Sequence, residues 1–464
     1  MRSRVRVLAV THVLPAQGQA GTSSLEALPD DEGHVKLSFM DALFVDRVPM
    51  QRLFFYEGPG VPPFPSLVHS LKSSLAAALA IFRPLAGKLT HRALTGDVVV
   101  DCSPAAVSPG VRFVEAEYAG SVHDMRRLAV GEEHHTEALM QLGAELSAGR
   151  LPAPVLAVQV TRPAGGGGRG VVVGVSVHHA VADGHSLWRF MRAWSAVSRD
   201  PAASDTDLVP PTWDRTAIRY PEAEEVARKF LRTIAPALPV ARPPSLHTPL
   251  DQRRRSFLLR AEDVRSLKQR VLSQSKAIGE QVGAHPSAFV AVSSLVWTSI
   301  VRAKSLDPAA DAYLLVPVDL RRRLRPPVER YFGNCVAPCF ARAAVRDLCD
   351  DGAGLGRAAA AIRDAVRARA EDPLGGAEQW LEDFVTVPKE RLTRTGSSNR
   401  FMAYDDTDFG WGAPSRVELV SLFTRELVLL LGAVDGGVQV TVALDHAHMD
   451  GLAANFLQVP GLGR

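Results

Sequence analysis

The sequence has little net charge and few cysteines. Its 464 residues include 53 Lys and Arg against 50 Asp and Glu, which leaves a formal charge of +3. This balance excludes an acidic disordered tail and a strongly basic nucleic-acid binder. Four cysteines are too few for a disulfide scaffold, so we expect buried reduced thiols and a cytoplasmic protein. Cys335 and Cys339 lack a second His or Cys pair in zinc-like spacing, so we predict no metal site.

Long hydrophobic runs are also missing. No segment approaches the roughly 18 apolar residues that a membrane-spanning helix requires. The N-terminal segment MRSRVRVLAVTHVLP lacks the long apolar core and the small-residue cleavage site of a signal peptide. We therefore expect no membrane partner and no targeting signal. At roughly 150 residues per domain, a chain of this length predicts two or three domains.

Two irregular stretches indicate how the chain is divided. Residues 200–215 are polar and proline-rich, and residues 234–256 contain PALPVARPP followed by DQRRR. Such a composition suits an exposed connection. We predict an N-terminal domain over residues 1–205, a connecting loop over 206–230 and a C-terminal domain over 231–464.

Both halves mix helical and strand patterns. In the first half, the apolar residues 171–177 predict a buried strand, and residues 187–197 carry a helical apolar stripe. In the second half, residues 288–301 predict a buried helix, and residues 427–434 with 438–444 predict a hairpin. Hairpins beside alternating helices and strands indicate α/β domains with mixed sheets.

Several common catalytic motifs are absent. The glycines at 165–168 are not followed by Gly-Lys-Ser or Gly-Lys-Thr, so they do not form a phosphate-binding loop. The sequence contains neither a G-x-S-x-G nucleophile elbow nor an H-E-x-x-H zinc motif. A serine nucleophile and a zinc peptidase site are therefore not predicted.

The segment HHAVADG at 178–184 lies between the predicted strand and the following helix. A rigid strand end is a common place for functional side chains. His179 can act there as a general base near neutral pH. Asp183 could orient the loop or the imidazole, and Gly184 permits a tight bend or a close ligand. The alternative is a capped loop with a histidine satisfied by hydrogen bonds.

The spacing H-x-x-x-D alone does not identify the site. The pattern occurs at two further places: His247 with Asp251, and His446 with Asp450. The pair His247 and Asp251 lies in the proline-rich connection, and the pair His446 and Asp450 follows the final predicted strand. The doubled histidine, the apolar strand before it and the helix after it favour His179.

Two further segments combine charge with restricted geometry. Residues 408–412, DFGWG, predict a tight turn, in which Asp408 could accept backbone N–H bonds or an arginine. A packed turn without a chemical role is equally compatible with these residues. Residues 319–325, DLRRRLR, fit a solvated charge run, an anion site or a buried partner for an aspartate.

Together these segments resemble the BAHD family of plant acyl-CoA-dependent acyltransferases. The resemblance rests on HHAVADG and DFGWG, separated by over two hundred residues as in that family. It extends over almost the full length through LSFMD at 37–41, RLFFY at 52–56, FRPLAGKL at 82–89, VWTSIVRA at 296–303 and GSSNRFMAYDDT at 396–407.

The resemblance implies a two-domain CoA-dependent acyltransferase fold, similar to chloramphenicol acetyltransferase, with mixed β-sheets flanked by helices. A channel between the domains would admit acyl-CoA from one face and the acceptor from the other. Acyl-CoA would be a co-substrate, and no permanently bound cofactor is expected. The other partner would be a small phenolic acceptor, and the protein would be a monomer.

By matching motif positions, His179 would deprotonate an acceptor hydroxyl or amine, without a covalent acyl-enzyme. Asp183 would point away from the substrate and pair with Arg321 or Arg323. Asp408 would belong to the catalytic set, chiefly by fixing a loop that shapes the channel. The remaining site candidates are Gly184, Gly410 and Trp411 for structural support, Ser397 and Asn399 for the oxyanion or acceptor, and Ser287 for acyl-CoA.

The segment YFGNC at 331–335 resembles the clade that acylates anthocyanins, flavonoids and phenolic glucosides, often with malonyl-CoA. A cationic residue would favour the free carboxylate of a malonyl donor. The residues after Asp183 offer His185, but no arginine before Arg189. The alternatives are a hydroxycinnamoyl-CoA transferase acting on an alcohol or amine, a catalytically silent acyl-CoA-binding relative, and a carrier-protein condensation domain.

Overall fold

The computed structural model describes residues 4–17, 33–130, 136–165, 169–200, 208–242, 252–280, 285–420 and 426–457. The strands are β1 Val5–Val13, β2 His34–Lys36, β3 Met50–Glu57, β4 Lys88–Arg92, β5 Asp97–Asp101, β6 Val111–Tyr118, β7 Ala153–Pro154, β8 Leu156–Pro163, β9 Gly170–Val177, β10 Arg253–Leu259, β11 Asp311–Asp319, β12 Val336–Ala344, β13 Leu392–Thr395, β14 Arg416–Leu419, β15 Leu427–Gly432 and β16 Val438–Leu444. The helices are α1 Phe39–Ala42, α2 Phe64–Ile81, α3 Pro104–Val107, α4 Val122–Val130, α5 Thr136–Met140, α6 Gly184–Arg199, α7 Ala223–Ile234, α8 Ala261–Ala277, α9 Ala288–Lys304, α10 Val345–Leu348, α11 Gly354–Glu371, α12 Trp380–Thr386 and α13 His446–Leu457.

The chain forms two compact units, and neither is continuous in sequence. The first unit consists of Met1–Thr248, Leu324–Cys335 and Ala403–Phe423. The second consists of Pro249–Arg323, Val336–Met402 and Thr424–Arg464. The sequence predicts DFGWG in a C-terminal domain over 231–464, whereas in the structure it lies in the first unit. The physical reason is strand pairing, because β14, a few residues after DFGWG, pairs antiparallel with β3.

The first unit contains a six-stranded sheet and a four-stranded sheet. The larger sheet has the order β1-β6-β8-β9-β3-β14, in which β6 and β8 run parallel and the other neighbours antiparallel. The smaller sheet has the antiparallel order β2-β5-β4-β7. The predicted buried strand at 171–177 is the greater part of β9, which lies between β8 and β3. Its residues from Val171 to Val177 are buried because both of its edges and both of its faces are covered.

Helices α2 and α6 pack against each other in the first unit. The indole Nε1 of Trp194 on α6 donates a hydrogen bond of 3.1 Å to Ser74 Oγ on α2. Among the described residues, α2 is the one helix that is long and apolar enough to cross a membrane. Core helices meet the same criterion, and Leu71, Leu75 and Leu79 of α2 are fully buried.

The second unit is built on a mixed six-stranded sheet of order β10-β16-β15-β13-β11-β12. Strand β13 runs parallel to β11 and β15, and the other pairs are antiparallel. The predicted hairpin is present as β15 and β16, and the predicted buried helix is α9. Both units therefore have the mixed sheets that the sequence predicted, with helices packed on them.

Candidate active site

The segment HHAVADG connects the end of β9 to the start of α6. The backbone N–H of His178 donates to Val155 O at 2.8 Å, and Val181 N–H donates to His178 O at 3.0 Å. The segment is a tight turn, and His178, His179 and Asp183 are all buried in it. The sequence pattern of a buried strand, a polar turn and an amphipathic helix thus fixes where these side chains lie.

Asp183 is the N-cap of α6, and each of its two carboxylate oxygens accepts a hydrogen bond from a backbone N–H. Its Oδ1 accepts from Ser186 N at 2.9 Å, which satisfies a helix N–H that has no partner within the helix. Its Oδ2 accepts from Cys335 N at 3.0 Å. Asp183 thereby joins the HHAVADG turn to the YFGNC segment. The pairing of Asp183 with Arg321 or Arg323 stays a prediction.

His179 is a buried imidazole that stacks on Phe44. The ring centroids are 4.1 Å apart and the ring planes differ by 8°. Burial lowers the pKa of His179 to about 4, because removal from water disfavours the charged ring. The positive charges of Arg52 and Arg47 lower this pKa further, and the negative charge of Asp183 opposes them. His179 is therefore neutral near pH 7, which is the protonation state of a general base.

The preceding residue, His178, is fully buried and makes its hydrogen bond within the turn. Its Nδ1 accepts from Ala180 N at 3.3 Å, within the turn itself. Burial lowers the pKa of His178 to about 3, with smaller contributions from His179 and Arg242. Within the doubled histidine, His178 thus holds the turn, and the role of His179 as a general base stays a prediction.

The YFGNC segment, which sequence reasoning treated as a substrate clue, packs directly against HHAVADG. Ser186 Oγ donates to Gly333 O at 3.0 Å and accepts from Gly333 N at 3.1 Å. Asn334 Nδ2 donates to His179 O at 2.8 Å. Gly333 has a φ of +153°, and an added Cβ would lie 2.9 Å from the side chains of Arg215 and Tyr331. A glycine is needed there for both reasons.

Asp41, from the LSFMD segment, is also part of this arrangement. It is fully buried, and its Oδ1 accepts from Asn334 N and Asn334 Nδ2. Its Oδ2 forms an ion pair with Arg215 Nε at 2.9 Å. Sequence reasoning did not assign a role to Asp41, Arg215 or Asn334. The S-x-x-D spacing of Ser38 and Asp41 is the one local signal, because it is a capping pattern.

Asp408 organises the DFGWG turn. Its Oδ1 accepts from the backbone N–H groups of Gly410 at 2.7 Å, Trp411 at 3.1 Å and Gly412 at 2.9 Å. Gly410 and Gly412 have φ values of +95° and +92°, which favour glycine. The turn therefore depends on one carboxylate oxygen and two glycines.

The aromatic residues of DFGWG pack on the core of the first unit. Tyr56 makes edge contacts with Phe409 and Trp411, with ring centroids 6.1 and 5.2 Å apart. The Tyr56 hydroxyl donates to Thr407 O at 2.6 Å, and burial raises the pKa of this phenol. The geometry is that of a packed turn whose backbone Asp408 holds, and the place of Asp408 in the catalytic set stays a prediction.

Replacing Asp408 by alanine is expected to lower the free energy of unfolding by about 2 kcal/mol, since three N–H groups lose a charged acceptor. Urea denaturation of the two proteins measures the difference. Asp405→Ala is the control, because Asp405 is an exposed neighbour in the same loop. Equal stabilities of the two variants, combined with a selective loss of activity in Asp408→Ala, would instead indicate a direct catalytic role.

The arginine-rich segment lies in the second unit. Arg321 is buried, and its Nη1 lies 3.3 Å from Asp319 Oδ1. Arg323 Nη1 donates to Asp319 O. For Arg321 the interpretation as a solvated charge run is therefore wrong, because its guanidinium is withdrawn from water and has a carboxylate partner. Arg322 and Arg325 are exposed.

Three further site candidates, Ser397, Asn399 and Ser287, lie in the second unit and differ in their hydrogen bonding. Ser397 Oγ donates to Leu430 O and accepts from Leu430 N, both at 2.7 Å, so its proton is not available to an oxyanion. The prediction that Ser397 donates to the oxyanion is therefore wrong for this arrangement of its hydroxyl. Asn399 is half-buried, and its Oδ1 has no hydrogen-bond partner among the described residues. Ser287 caps α9 by accepting from Val290 N at 3.2 Å, and its contact with acyl-CoA stays a prediction.

The two other H-x-x-x-D pairs lie away from HHAVADG in the sequence. His446 begins α13 in the second unit, and His247 and Asp251 lie outside the described residues. Within the part of the chain that the structure describes, no group of three or more His, Cys, Asp or Glu residues could hold a metal ion. HHAVADG, with LSFMD and YFGNC around it, is the centre of the candidate site.

Solved structures with the same fold identify its class. Vinorine synthase matches with a TM-score of 0.72 and 22% identity, over 98% of both chains. F. graminearum TRI101, solved with coenzyme A and T-2 mycotoxin, matches with a TM-score of 0.65 and 16% identity, over 91% of this chain and 97% of that one. The fold is that of two-domain, chloramphenicol acetyltransferase-like acyltransferases.

Sequence comparison then identifies the family. The family model described as the Transferase family matches residues 25–458. The chain belongs to this family, the BAHD acyltransferases, and is an acyl-CoA-dependent acyltransferase with acyl-CoA as its co-substrate.

Two curated relatives illustrate the similarity. Phenolic glucoside malonyltransferase 1 of Arabidopsis thaliana is 29% identical, over 97% of this chain and 96% of the relative. The malonyl-CoA:anthocyanidin 5-O-glucoside-6''-O-malonyltransferase of the same plant is 30% identical, over 95% of both chains.

Proposed function

We propose that this protein transfers an acyl group, preferentially malonyl, from acyl-CoA to a hydroxyl of a phenolic or flavonoid glycoside. The observation that carries the proposal is the buried, neutral imidazole of His179 at the end of β9, held against Phe44. The names of the relatives support the choice of a malonyl donor and a glucoside acceptor.

In the proposed reaction, His179 takes the proton of the acceptor hydroxyl while its oxygen attacks the thioester carbonyl. The tetrahedral intermediate then breaks its C–S bond and releases the thiolate of coenzyme A. The imidazolium returns the proton to that thiolate, so the enzyme ends in its starting state. No covalent acyl-enzyme forms, which agrees with the absence of a serine elbow from the sequence.

The local charge supports a donor that carries a carboxylate. Arg52, in the RLFFY segment, is buried on β3, and its register neighbour on β9 is Val175, close to the end of that strand. Arg52 and the more exposed Arg47 lower the pKa of His179, so their positive field reaches the imidazole. The same field would favour the free carboxylate of a malonyl group. We therefore propose Arg52 as the cation for the malonyl carboxylate, in place of a residue directly after Asp183.

A matrix of donors and acceptors tests the proposal. Malonyl-, acetyl- and coumaroyl-CoA are each combined with a phenolic glucoside, a flavonoid glucoside and a polyamine, and CoA release is measured. We expect the highest kcat/KM for malonyl-CoA with a glucoside. A preference for coumaroyl-CoA with the polyamine would overturn the proposal in favour of a hydroxycinnamoyl transferase. Binding of acyl-CoA without CoA release from any pair would indicate a silent relative.

We also propose that the enzyme acts as a monomer in the cytoplasm. The family resemblance supports the monomer, and the low cysteine content suits a reducing compartment. Light scattering on the purified protein and imaging of a tagged copy test these two points.

A further inference from the structure

We propose that Asp41, Arg215 and Asn334 form a buried positioning network that fixes the backbone of the catalytic His179. This inference rests on the proposed function and deepens it. None of the three residues belongs to HHAVADG, and Asp41 and Asn334 are separated by 293 positions in sequence. All three lie in the first unit.

Asp41 is the anionic centre of the network. It is fully buried at the end of the S-x-x-D capping box, and its Oδ2 accepts from Ser38 N at 3.0 Å and Ser38 Oγ at 2.8 Å. Desolvation of a carboxylate costs several kcal/mol unless a counter-charge and hydrogen bonds compensate. Arg215 supplies that counter-charge at 2.9 Å from the same oxygen. The carboxylate is thus held from two sides in one orientation.

Asn334 connects this carboxylate to the catalytic turn. Its backbone N and its Nδ2 donate to Asp41 Oδ1, at 2.7 and 3.0 Å. The same Nδ2 donates to His179 O at 2.8 Å. A primary amide nitrogen has two hydrogens, and here one faces the carboxylate and the other faces the carbonyl. Asp41 therefore sets the orientation of the amide, and the amide holds the peptide of His179.

Arg215 connects the carboxylate to the rest of YFGNC. Its Nη1 donates to Phe332 O, and its guanidinium carbon lies 4.9 Å from the centre of the Tyr331 ring. The planar guanidinium can pair with a carboxylate and lie over an aromatic ring at once, which a lysine cannot reproduce. Three segments that are distant in sequence, LSFMD, Trp213–Arg215 and YFGNC, are thereby fixed to one another beside His179.

The network acts on position and not on the acidity of the imidazole. The pKa of His179 is shifted by its burial, by a hydrogen bond of its own backbone and by the charges of Arg52, Asp183 and Arg47. The negative charge of Asp41 is compensated by Arg215, so loss of the amide link should leave the pKa of His179 in place. Misplacement of a catalytic group by about 1 Å can lower a rate by roughly 100-fold. The expected signature is a lower kcat with an unchanged pH profile.

The test is Asn334→Ala, with Asn455→Ala as its matched control. The Asn455 amide also donates to a backbone carbonyl, that of Ser299 at 3.3 Å, but in the second unit. With malonyl-CoA and a glucoside, we expect Asn334→Ala to lower kcat by roughly 10- to 100-fold. The KM values for both substrates and the acidic midpoint of the pH profile should be unchanged. Asn455→Ala should keep the wild-type kcat.

A wild-type kcat in folded Asn334→Ala would overturn the proposal, as would a shifted pH midpoint. If Asn334→Ala does not fold at 20 °C, the isosteric Asp41→Asn provides the same test, because it removes the charge that orients the amide. A folded Asp41→Asn with the wild-type kcat overturns the proposal, and if neither variant folds, the network is only structural and the proposal fails. Failure of the proposed function itself would be recognised separately, because the wild-type enzyme would then release no CoA.

Discussion

Substitution of His179 by alanine is expected to lower kcat by about 1,000-fold while the protein stays folded. General base catalysis contributes typically 10²- to 10⁴-fold, and His179 is the imidazole that the fold holds neutral at the end of β9. Alanine removes the base and leaves the turn largely intact, because the turn is held by His178, Asp183 and backbone hydrogen bonds. Steady-state kinetics with malonyl-CoA and a glucoside, together with a thermal unfolding curve, measure both properties.

The chain contains a matched control for this substitution. His446 belongs to the same H-x-x-x-D-G pattern, with Asp450 and Gly451, but it begins α13 in the second unit. His446→Ala should therefore keep the wild-type kcat. Unchanged turnover in folded His179→Ala would contradict general base catalysis by this residue, and equal losses in both variants would show that the pattern and not the site is being measured.

The pH dependence provides a second readout of the same prediction. Burial lowers the pKa of His179 from 6.5 to about 4, so its base form persists as the pH falls, until about pH 4. Activity should therefore not decline near pH 6.5, where an exposed histidine becomes protonated. The same shift opposes folding in acid, since the unfolded chain takes up a proton below pH 6.5 and the folded chain does not until about pH 4. This contribution to stability is present above pH 6.5 and is lost as the pH falls towards 4.

Asp183→Ala is expected to lower the free energy of unfolding by about 3 kcal/mol. The substitution removes the cap of α6 and leaves the buried N–H of Cys335 without its charged acceptor. A helix cap contributes about 1 kcal/mol, and a hydrogen bond to a charged group contributes about 2 kcal/mol. Urea unfolding measures the change. Asp183→Asn should be milder, because it keeps one oxygen acceptor.

Asp214→Ala is the control for the loss of a cap. Asp214 also caps a helix, the three-residue 3-10 helix Arg215–Ala217, by accepting from Thr216 N at 2.8 Å, and this hydrogen bond is exposed to solvent. Its removal should lower the free energy of unfolding by less than about 1 kcal/mol. If Asp183→Ala and Asp214→Ala destabilise the protein equally, the hydrogen bond between Asp183 and Cys335 N contributes nothing to the free energy of unfolding, which contradicts this prediction.

The local elements of the site could be predicted because their causes lie within a few neighbouring residues. The run VVVGVSV has no alternation because β9 is buried on both faces, and the apolar stripe after Gly184 belongs to a helix whose cap is Asp183. The resemblance to BAHD enzymes added the family and the fold, and the comparisons confirm both. The domain boundaries were less predictable, because β14 leaves its sequence neighbours to pair with β3.

The network around His179 could not be predicted from local patterns. Asp41 and Asn334 meet across 293 positions, and Asp183 and Cys335 meet across 152. Short segments of mixed polarity such as LSFMD and YFGNC carry no periodicity that would indicate their partners. Ser397 illustrates the opposite error, because its place just before DFGWG suggested a role at the oxyanion, whereas its hydroxyl bonds to Leu430 on β15.

The sequence by itself determined the balanced charge, the mixed α/β elements and the histidine at a strand end, and its resemblance to BAHD enzymes supplied the family. The charge balance, the elements and the position of the histidine follow from residue type, spacing and periodicity, which act over one strand or one helical turn. Only the tertiary structure decided which polar residues hold His179 and why its imidazole is neutral. Burial and hydrogen bonding depend on every segment that packs around a group, and the segments around His179 come from three separate parts of the chain.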